Sequence, residues 1–289
     1  MVYLWFKAFF GSNSSQSEQY FITPIATRKT NTTITEILVY PNQCFGCQLW
    51  FSTLLSFLLQ SSPQLFTTMK HFLEVDSIIL EFGERRILQD VFLKNETGQT
   101  TGILGRNGSG KTCLLNIIYG ELNIANKSVR LDNQSIFEGF KNPDNLKYLP
   151  QFSFIPKNLT IKRIFKDFNL SFSHFIEYFP RFKQYYTTSL KNLSGGECRI
   201  VEVYTILTSK SKFCLLDEPF SQIMPVHVQT IKSIINEEKK NKGIIITDHL
   251  YEHVLDICDD IYLIANGKTY LTKSKSDLIE LGYINESHL

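Results

Sequence analysis

The sequence predicts an α/β domain with an antiparallel part, and three observations carry that reading. Past Met69, short apolar runs alternate with amphipathic segments. A glycine-rich loop, Gly105-Arg106-Asn107-Gly108-Ser109-Gly110-Lys111-Thr112, lies between a strand-like run, Thr101–Leu104, and a helix-like one, Cys113–Ile118. Near the end of the chain, Ile261–Leu271 reads as a β-hairpin turning at Asn266-Gly267.

Each element follows from its own residues. The patterned region opens with Phe72–Val75 and Ile78–Leu80. Thr101–Leu104 reads as the end of a buried strand, and Gly120 as the stop of the helix after the loop. Phe213–Leu216 is a continuous apolar run, as a parallel strand buried on both faces would be. Pro225 opens a helix through about Lys240, with Val228, Ile231, Ile234 and Ile235 on one face. Gly243–Ile246 reads as a second buried strand and Leu250–Cys258 as another helix.

Composition narrows the function. The 289 residues suffice for a substantial core in one or two domains. A net charge of +2 argues against a nucleic-acid surface as the main function. No run approaches the ~18 apolar residues of a membrane-spanning helix, so a direct span is not expected and any membrane role must come through a partner. Of the six cysteines, Cys44 and Cys47 form a C-x-x-C with no second Cys or His pair nearby, which reads as two free thiols. Residues 1–68 hold both tryptophans but only five charged residues, Lys7, Glu18, Arg28, Lys29 and Glu36, with no sustained period. They are expected to be a poorly structured N-terminal extension, or to stem from a start assigned too far upstream. The folded domain is expected to span 69–289.

Three motifs carry chemistry. The loop Gly105–Thr112 fits the phosphate-binding pattern G-x-x-x-x-G-K-[ST]. Its glycines let successive N–H groups turn inward as an anion nest, and the following helix N-terminus adds partial positive charge. Lys111 is placed to reach β- and γ-phosphates, and the Thr112 hydroxyl to bind Mg²⁺. Leu215-Leu216-Asp217-Glu218-Pro219 ends a buried strand with two carboxylates, Asp217 suited to Mg²⁺ and Glu218 to general-base work on a water. Leu193-Ser194-Gly195-Gly196-Glu197 precedes an apolar helix and offers a second anion site.

With these motifs in this order, followed by His249, the chain resembles the ATP-binding cassette (ABC) ATPases over about Phe72–Tyr270. The resemblance implies a P-loop NTPase fold of ABC type, with a RecA-like core, an antiparallel β subdomain and a short helical subdomain at about 152–200. It implies ATP and Mg²⁺ as cofactors. The implied ATP-binding set is Phe82, stacked on adenine, with Gly105, Arg106, Asn107, Gly108, Ser109, Gly110, Lys111, Thr112, Cys113 and Gln151. Thr112, Gln151 and Asp217 would hold the metal, and Glu218, His249 and Lys111 would be catalytic. Ser194, Gly195, Gly196 and Glu197 would bind ATP in trans, on a second cassette.

The implied partners are that cassette, in a homodimer or heterodimer, and separate transmembrane subunits. The implied location is cytoplasmic, peripheral on the cytoplasmic face of the cell membrane. The function implied is the ATP-hydrolysing subunit of an ABC transporter. The alternative is a soluble ABC-type ATPase with a non-transport role.

The chain departs from the family pattern in two places. Met224 stands where an acidic residue is usual, after Ser221-Gln222-Ile223. The interval between Gln151 and Ser194 is short and rich in aromatics, some expected in the core and others on a docking patch. His249-Leu250-Tyr251-Glu252-His253 also fits the zinc pattern H-x-x-E-H, but His249 is already taken by the family's switch position.

Overall fold

A computed structural model describes residues 70–284. The expected extension over 1–68, its boundary at Met69 and the Cys44–Cys47 pair lie outside the described residues. The chain runs through β1 (Phe72–Asp76), β2 (Leu80–Phe82), β3 (Arg85–Leu88), β4 (Leu93–Glu96) and β5 (Thr100–Gly105) into α1 (Lys111–Tyr119). Then come β6 (Ser128–Leu131), β7 (Gln134–Ser135), β8 (Leu146–Leu149), α2 (Ile161–Asp167), α3 (Phe172–Tyr178) and α4 (Gly195–Thr208). The last part holds β9 (Phe213–Asp217), α5 (Pro225–Glu238), β10 (Gly243–Thr247), α6 (Tyr251–Ile257), β11 (Asp260–Ala265), β12 (Lys268–Thr272) and α7 (Lys275–Glu280).

The central sheet has the order β12-β11-β5-β10-β9-β8. Its strands are parallel except β12, which returns from β11 through the expected Asn266-Gly267 turn. A second, antiparallel sheet has the order β4-β1-β6-β7, and β2 and β3 form a separate hairpin. The three central strands β5, β9 and β10 are buried at every residue. This is why β9 and β10 carry continuous apolar runs, Phe213–Leu216 and Gly243–Ile246, rather than alternations.

Pleating divides those runs between two cores. Phe213, Leu215 and Ile245 join Leu114, Leu115 and the inner face of the antiparallel sheet. Cys214, Leu216, Ile244 and Ile246 point the other way, against α4, α5 and the helical segment. Phe165, Phe175, Phe179 and Phe182 of the short interval are buried, with the Phe175 and Tyr204 centroids 4.8 Å apart, and Phe154, Phe168, Phe172, Tyr178 and Tyr185 pack partly buried against the same core. Only Phe152 and Tyr186 among the interval's aromatics are exposed, so the expected docking patch reduces to these two.

Helix ends follow their capping residues. α1 stops at Gly120, whose φ of +92° closes the last turn by donating to the carbonyls of Asn116 and Ile117. A Cβ there would lie 2.8 Å from Phe137 O and Glu138 Cα, so only glycine fits. α5 opens at Pro225 with Met224 as its N-cap, and Met224 makes no side-chain cap hydrogen bond. Among the described residues, no helix is long and apolar enough to cross a membrane.

Candidate functional site

Four loops leave the carboxyl ends of neighbouring parallel strands on one edge of the sheet. They carry the phosphate loop after β5, Gln151 after β8, Glu218 after β9 and His249 after β10. In open α/β sheets this edge is where ligands bind.

The phosphate loop turns through Gly108 (φ +77°) and Gly110 (φ +103°), conformations that glycine adopts without strain. Gly110 also brings the loop against the hairpin: a Cβ there would sit 2.9 Å from Ile87 and 3.0 Å from Leu88 side-chain atoms. Lys111 opens α1 and is buried; its Nζ donates to the carbonyls of Gly105 (2.8 Å) and Arg106 (3.4 Å). Burial pushes the Lys111 ammonium below its ordinary pKa, and the nearby carboxylates of Glu218, Asp217 and Asp248 oppose that shift.

Asp217 is fully buried at the end of β9. Its carboxylate accepts from the Thr247 hydroxyl and from Tyr148 Oη at 3.4 Å. Burial nevertheless raises its pKa above the ordinary carboxylate value. Glu218 follows with φ +48°, a left-handed conformation that costs a non-glycine residue about 1–3 kcal/mol. Its N–H donates to Thr247 O at 3.0 Å, and its Oε2 accepts from Gln151 Nε2 at 2.9 Å. His249 Nδ1 lies 3.8 Å from the same oxygen. His253, the second histidine of the H-x-x-E-H pattern, instead packs edge-on against Phe220, with centroids 5.1 Å apart.

These loops enclose a cleft of about 590 Å³, within the usual range for a small-molecule site. Phe82, Asn107, Gly108, Gly110, Lys111, Thr112, Cys113, Gln151, Glu218 and His249 line it, together with Ile87. Phe82 is 56 % exposed, so its ring face is free at the mouth. The other sequence-predicted residues lie elsewhere. Asp217 sits beneath the floor, and the buried Ser109 hydroxyl lies under the loop beside Gly105, whose added Cβ would meet it at 2.4 Å. Arg106 turns outward, Nη2 donating to Gly282 O at 3.1 Å.

Ser194, Gly195, Gly196 and Glu197 form the start of α4 and do not line this cleft. Ser194 and Glu197 make a capping box: Ser194 Oγ accepts from Glu197 N (3.3 Å), while Glu197 Oε2 accepts from Ser194 N (2.9 Å) and Oγ (2.7 Å). The S-x-x-E spacing that signals this cap was legible in the sequence. Gly196 packs on the backbone of Gln222, whose O would lie 2.7 Å from an added Cβ. Sequence reasoning missed Tyr148 and Thr247, which hold Asp217. It also missed Arg199 and Glu202, buried polar residues of α4.

The donor set fits a hard cation. The Thr112 hydroxyl, the Gln151 amide and the Asp217 carboxylate are oxygen ligands of the kind Mg²⁺ takes. Thr112 and Gln151 line the cleft and Asp217 is buried at the end of β9 beside it, so the three donors gather at one edge of the sheet.

Comparison with known proteins identifies the family. Residues 88–221 match the family model described as ABC transporter. The chain is 30% identical over 227 residues to the lipopolysaccharide export system ATP-binding protein LptB of Haemophilus influenzae, covering 69% of this chain and 89% of that protein. It is 25% identical to the high-affinity branched-chain amino acid transport ATP-binding protein BraG of Pseudomonas aeruginosa, over 75% of this chain and 99% of that one. The fold is that of a solved ATP-binding subunit of an ABC transporter, with a TM-score of 0.62 at 19% identity, covering 74% of this chain and 95% of that one. A nucleotide-free ATP-binding cassette from an ABC transporter aligns with a TM-score of 0.60 at 23% identity, over 76% and 99% of the two chains. On the strength of its motifs, its fold and these relatives, the chain belongs to the family of ATP-binding subunits of ABC transporters.

Proposed function

We propose that this chain binds ATP with Mg²⁺, hydrolyses it, and uses that cycle to drive separate transmembrane subunits of a transporter. The observation that carries the reading is the convergence of Lys111, Thr112, Gln151, Glu218 and His249 on one cleft, fed by four adjacent strand ends. Phe82 stands at the mouth, where an adenine ring would stack. The inward-turned amides of the loop and the α1 N-terminus would take the phosphates. Lys111 is held in place by its own loop carbonyls, so little reorganisation is needed for its charge to face the β- and γ-phosphates.

Mg²⁺, when bound, would neutralise charge on the phosphate oxygens, with Thr112, Gln151 and Asp217 as the residues that hold it. Glu218 is the general base. Its carboxylate faces the cleft, and Gln151 restrains it. It would take a proton from a water as that oxygen bonds to the γ-phosphorus and the bond to the ADP oxygen breaks. His249, whose Nδ1 lies 3.8 Å from the Glu218 carboxylate, would contact the γ-phosphate beside it.

A second cassette, identical or related, would present Ser194–Glu197 to the same nucleotide, and closure of that pair would be the motion passed to the membrane subunits. Such a subunit would work at the cytoplasmic face of the cell membrane. Two relatives are ATP-binding proteins of export and amino acid transport systems, which supports a transport role over a soluble one.

The test is nucleotide titration of the wild type and of Lys111→Ala with Mg²⁺ and a fluorescent ATP analogue. Saturable binding that is lost in the variant supports the site. Equal binding by both proteins would overturn it. Co-purification with membrane-spanning subunits separates the transport role from a soluble one.

A further inference from the structure

The start of α4, which would face a partner's nucleotide, and the chain's own catalytic carboxylate are joined by one buried side chain. Arg199 lies five residues beyond Ser194 and is 3 % exposed. Its Nη1 donates to Pro150 O at 2.8 Å, and its Nη2 donates to Asp217 O at 2.9 Å and Glu218 O at 3.1 Å. One guanidinium therefore grips the two segments that carry Gln151 and Glu218.

Glu202, one turn further along α4 and 1 % exposed, completes the grip. Its Oε2 lies 3.7 Å from Arg199 Nη1. Its Oε1 accepts from Ser153 Oγ and from the N–H groups of Phe154 (3.2 Å) and Ile155 (3.4 Å). The pair thus clamps the loop that carries Gln151 at Pro150 on one side and at Ser153–Ile155 on the other.

Resting on the hydrolytic reading above, we propose that Arg199 is a positioning residue for hydrolysis. Its fork fixes the backbone at 217–218 and at 150, so that the Glu218 carboxylate and the Gln151 amide meet in the cleft. Four features favour this over a plain core strut. Burying an ion pair is costly, and neutral donors can satisfy carbonyls at less cost. The carbonyls gripped belong to residues 217 and 218 themselves and to the neighbour of Gln151, not to remote positions. Glu218 holds a strained φ of +48°, which persists only where its surroundings over-determine it, and Arg199 is part of those surroundings. A planar fork spans three carbonyls in fixed directions, whereas a lysine ammonium on a flexible stem does not.

The test uses the full chain, wild type and Arg199→Lys, which keeps a cation beside Glu202 but loses the fork. ATP affinity is measured by titration and turnover by phosphate release. Amide hydrogen exchange is followed in the nucleotide-free protein over residues 148–155 and 213–220. The expected result is affinity within about twofold of wild type, kcat lower by about tenfold or more, and faster exchange in those two segments only. In a Glu218→Gln background the Arg199→Lys change should cost less than about twofold more, because the group being positioned is already gone.

An unchanged kcat, or an additive loss in the Glu218→Gln background, would overturn the proposal. So would parallel loss of affinity, turnover and melting temperature, in this variant or in Arg199→Gln, since that marks a structural strut. Failure of both variants to fold counts the same way. A wild type that does not hydrolyse ATP would instead remove the reading on which the inference rests.

Discussion

Met224 gives the sharpest quantitative prediction. It is the N-cap of α5, with extended φ and ψ of −62° and 139°; its carbonyl accepts from His227 N at 2.9 Å, but its side chain offers no acceptor to the first-turn N–H groups. An aspartate there would accept from the N–H of Val226 or His227, worth about 1 kcal/mol. Its charge at the helix N-terminus would add about 0.5 kcal/mol. The methionine is 51 % exposed, so losing its contacts costs about 1 kcal/mol, roughly half the value of full burial.

Met224→Asp should therefore be stabilising by only about 0.5 kcal/mol, while Met224→Ala, which loses the contacts without gaining a cap, should be destabilising by about 1 kcal/mol. The difference between the two variants cancels the methionine contribution and isolates the cap at about 1.5 kcal/mol. In a domain of this size that corresponds to about 3–6 °C in Tm. Thermal unfolding followed by circular dichroism at low salt measures it. Equal Tm values for the Asp and Ala variants would refute the capping argument.

Three further outcomes are expected. Ser194→Arg should leave monomer ATP binding nearly intact and block formation of an ATP-bound dimer, read by sedimentation; equal loss of monomer binding would contradict the two-cassette arrangement. Burial raises the Asp217 pKa, so the native state holds that proton to higher pH than the unfolded chain does, and stability falls as pH rises from about 3.9 through the native value. Asp217→Asn removes this contribution: in the nucleotide-free protein it should be more stable than wild type at pH 7, with the gap closing towards pH 4, while Mg²⁺-ATP affinity drops. Parallel stability-against-pH curves would refute the assignment. Met224→Asp should also raise the Hill coefficient of ATP hydrolysis modestly, within the ~1–3 kcal/mol of typical coupling energies, if an acidic residue there links the two sites.

Much of the parallel core was legible in the sequence, because strands buried on both faces leave unbroken apolar runs. Phe213–Leu216 and Gly243–Ile246 could be read directly, and their pleat then placed Cys214 and Leu215 in opposite cores. The phosphate loop was legible because its glycines and Lys111 are dictated by geometry that few other turns need. Of the antiparallel sheet only the patterned run Phe72–Val75 stood out, since the hairpin near the end of the chain belongs to the central sheet. Its strands, such as Leu93–Glu96 and Ser128–Leu131, are four residues long and at least half polar, too short to establish a period. Arg199 and Glu202 were invisible for a different reason: charged residues on a helix read as solvent-facing, and only tertiary packing shows that these two are buried against carbonyls and amides of distant loops. Tyr148 and Thr247 were missed likewise, since their role depends on strand neighbours that the sequence does not list together.

The account turns on Glu218 as the base in an ATP-hydrolysing cleft. Steady-state phosphate release by Glu218→Gln, measured beside its ATP affinity, tests it most directly. The substitution keeps the side-chain shape and an oxygen toward Gln151 but removes the proton acceptor. The account predicts affinity within about twofold of wild type, hydrolysis lower by about 10²-fold or more, and accumulation of an ATP-bound dimer. Turnover at the wild-type rate would contradict it.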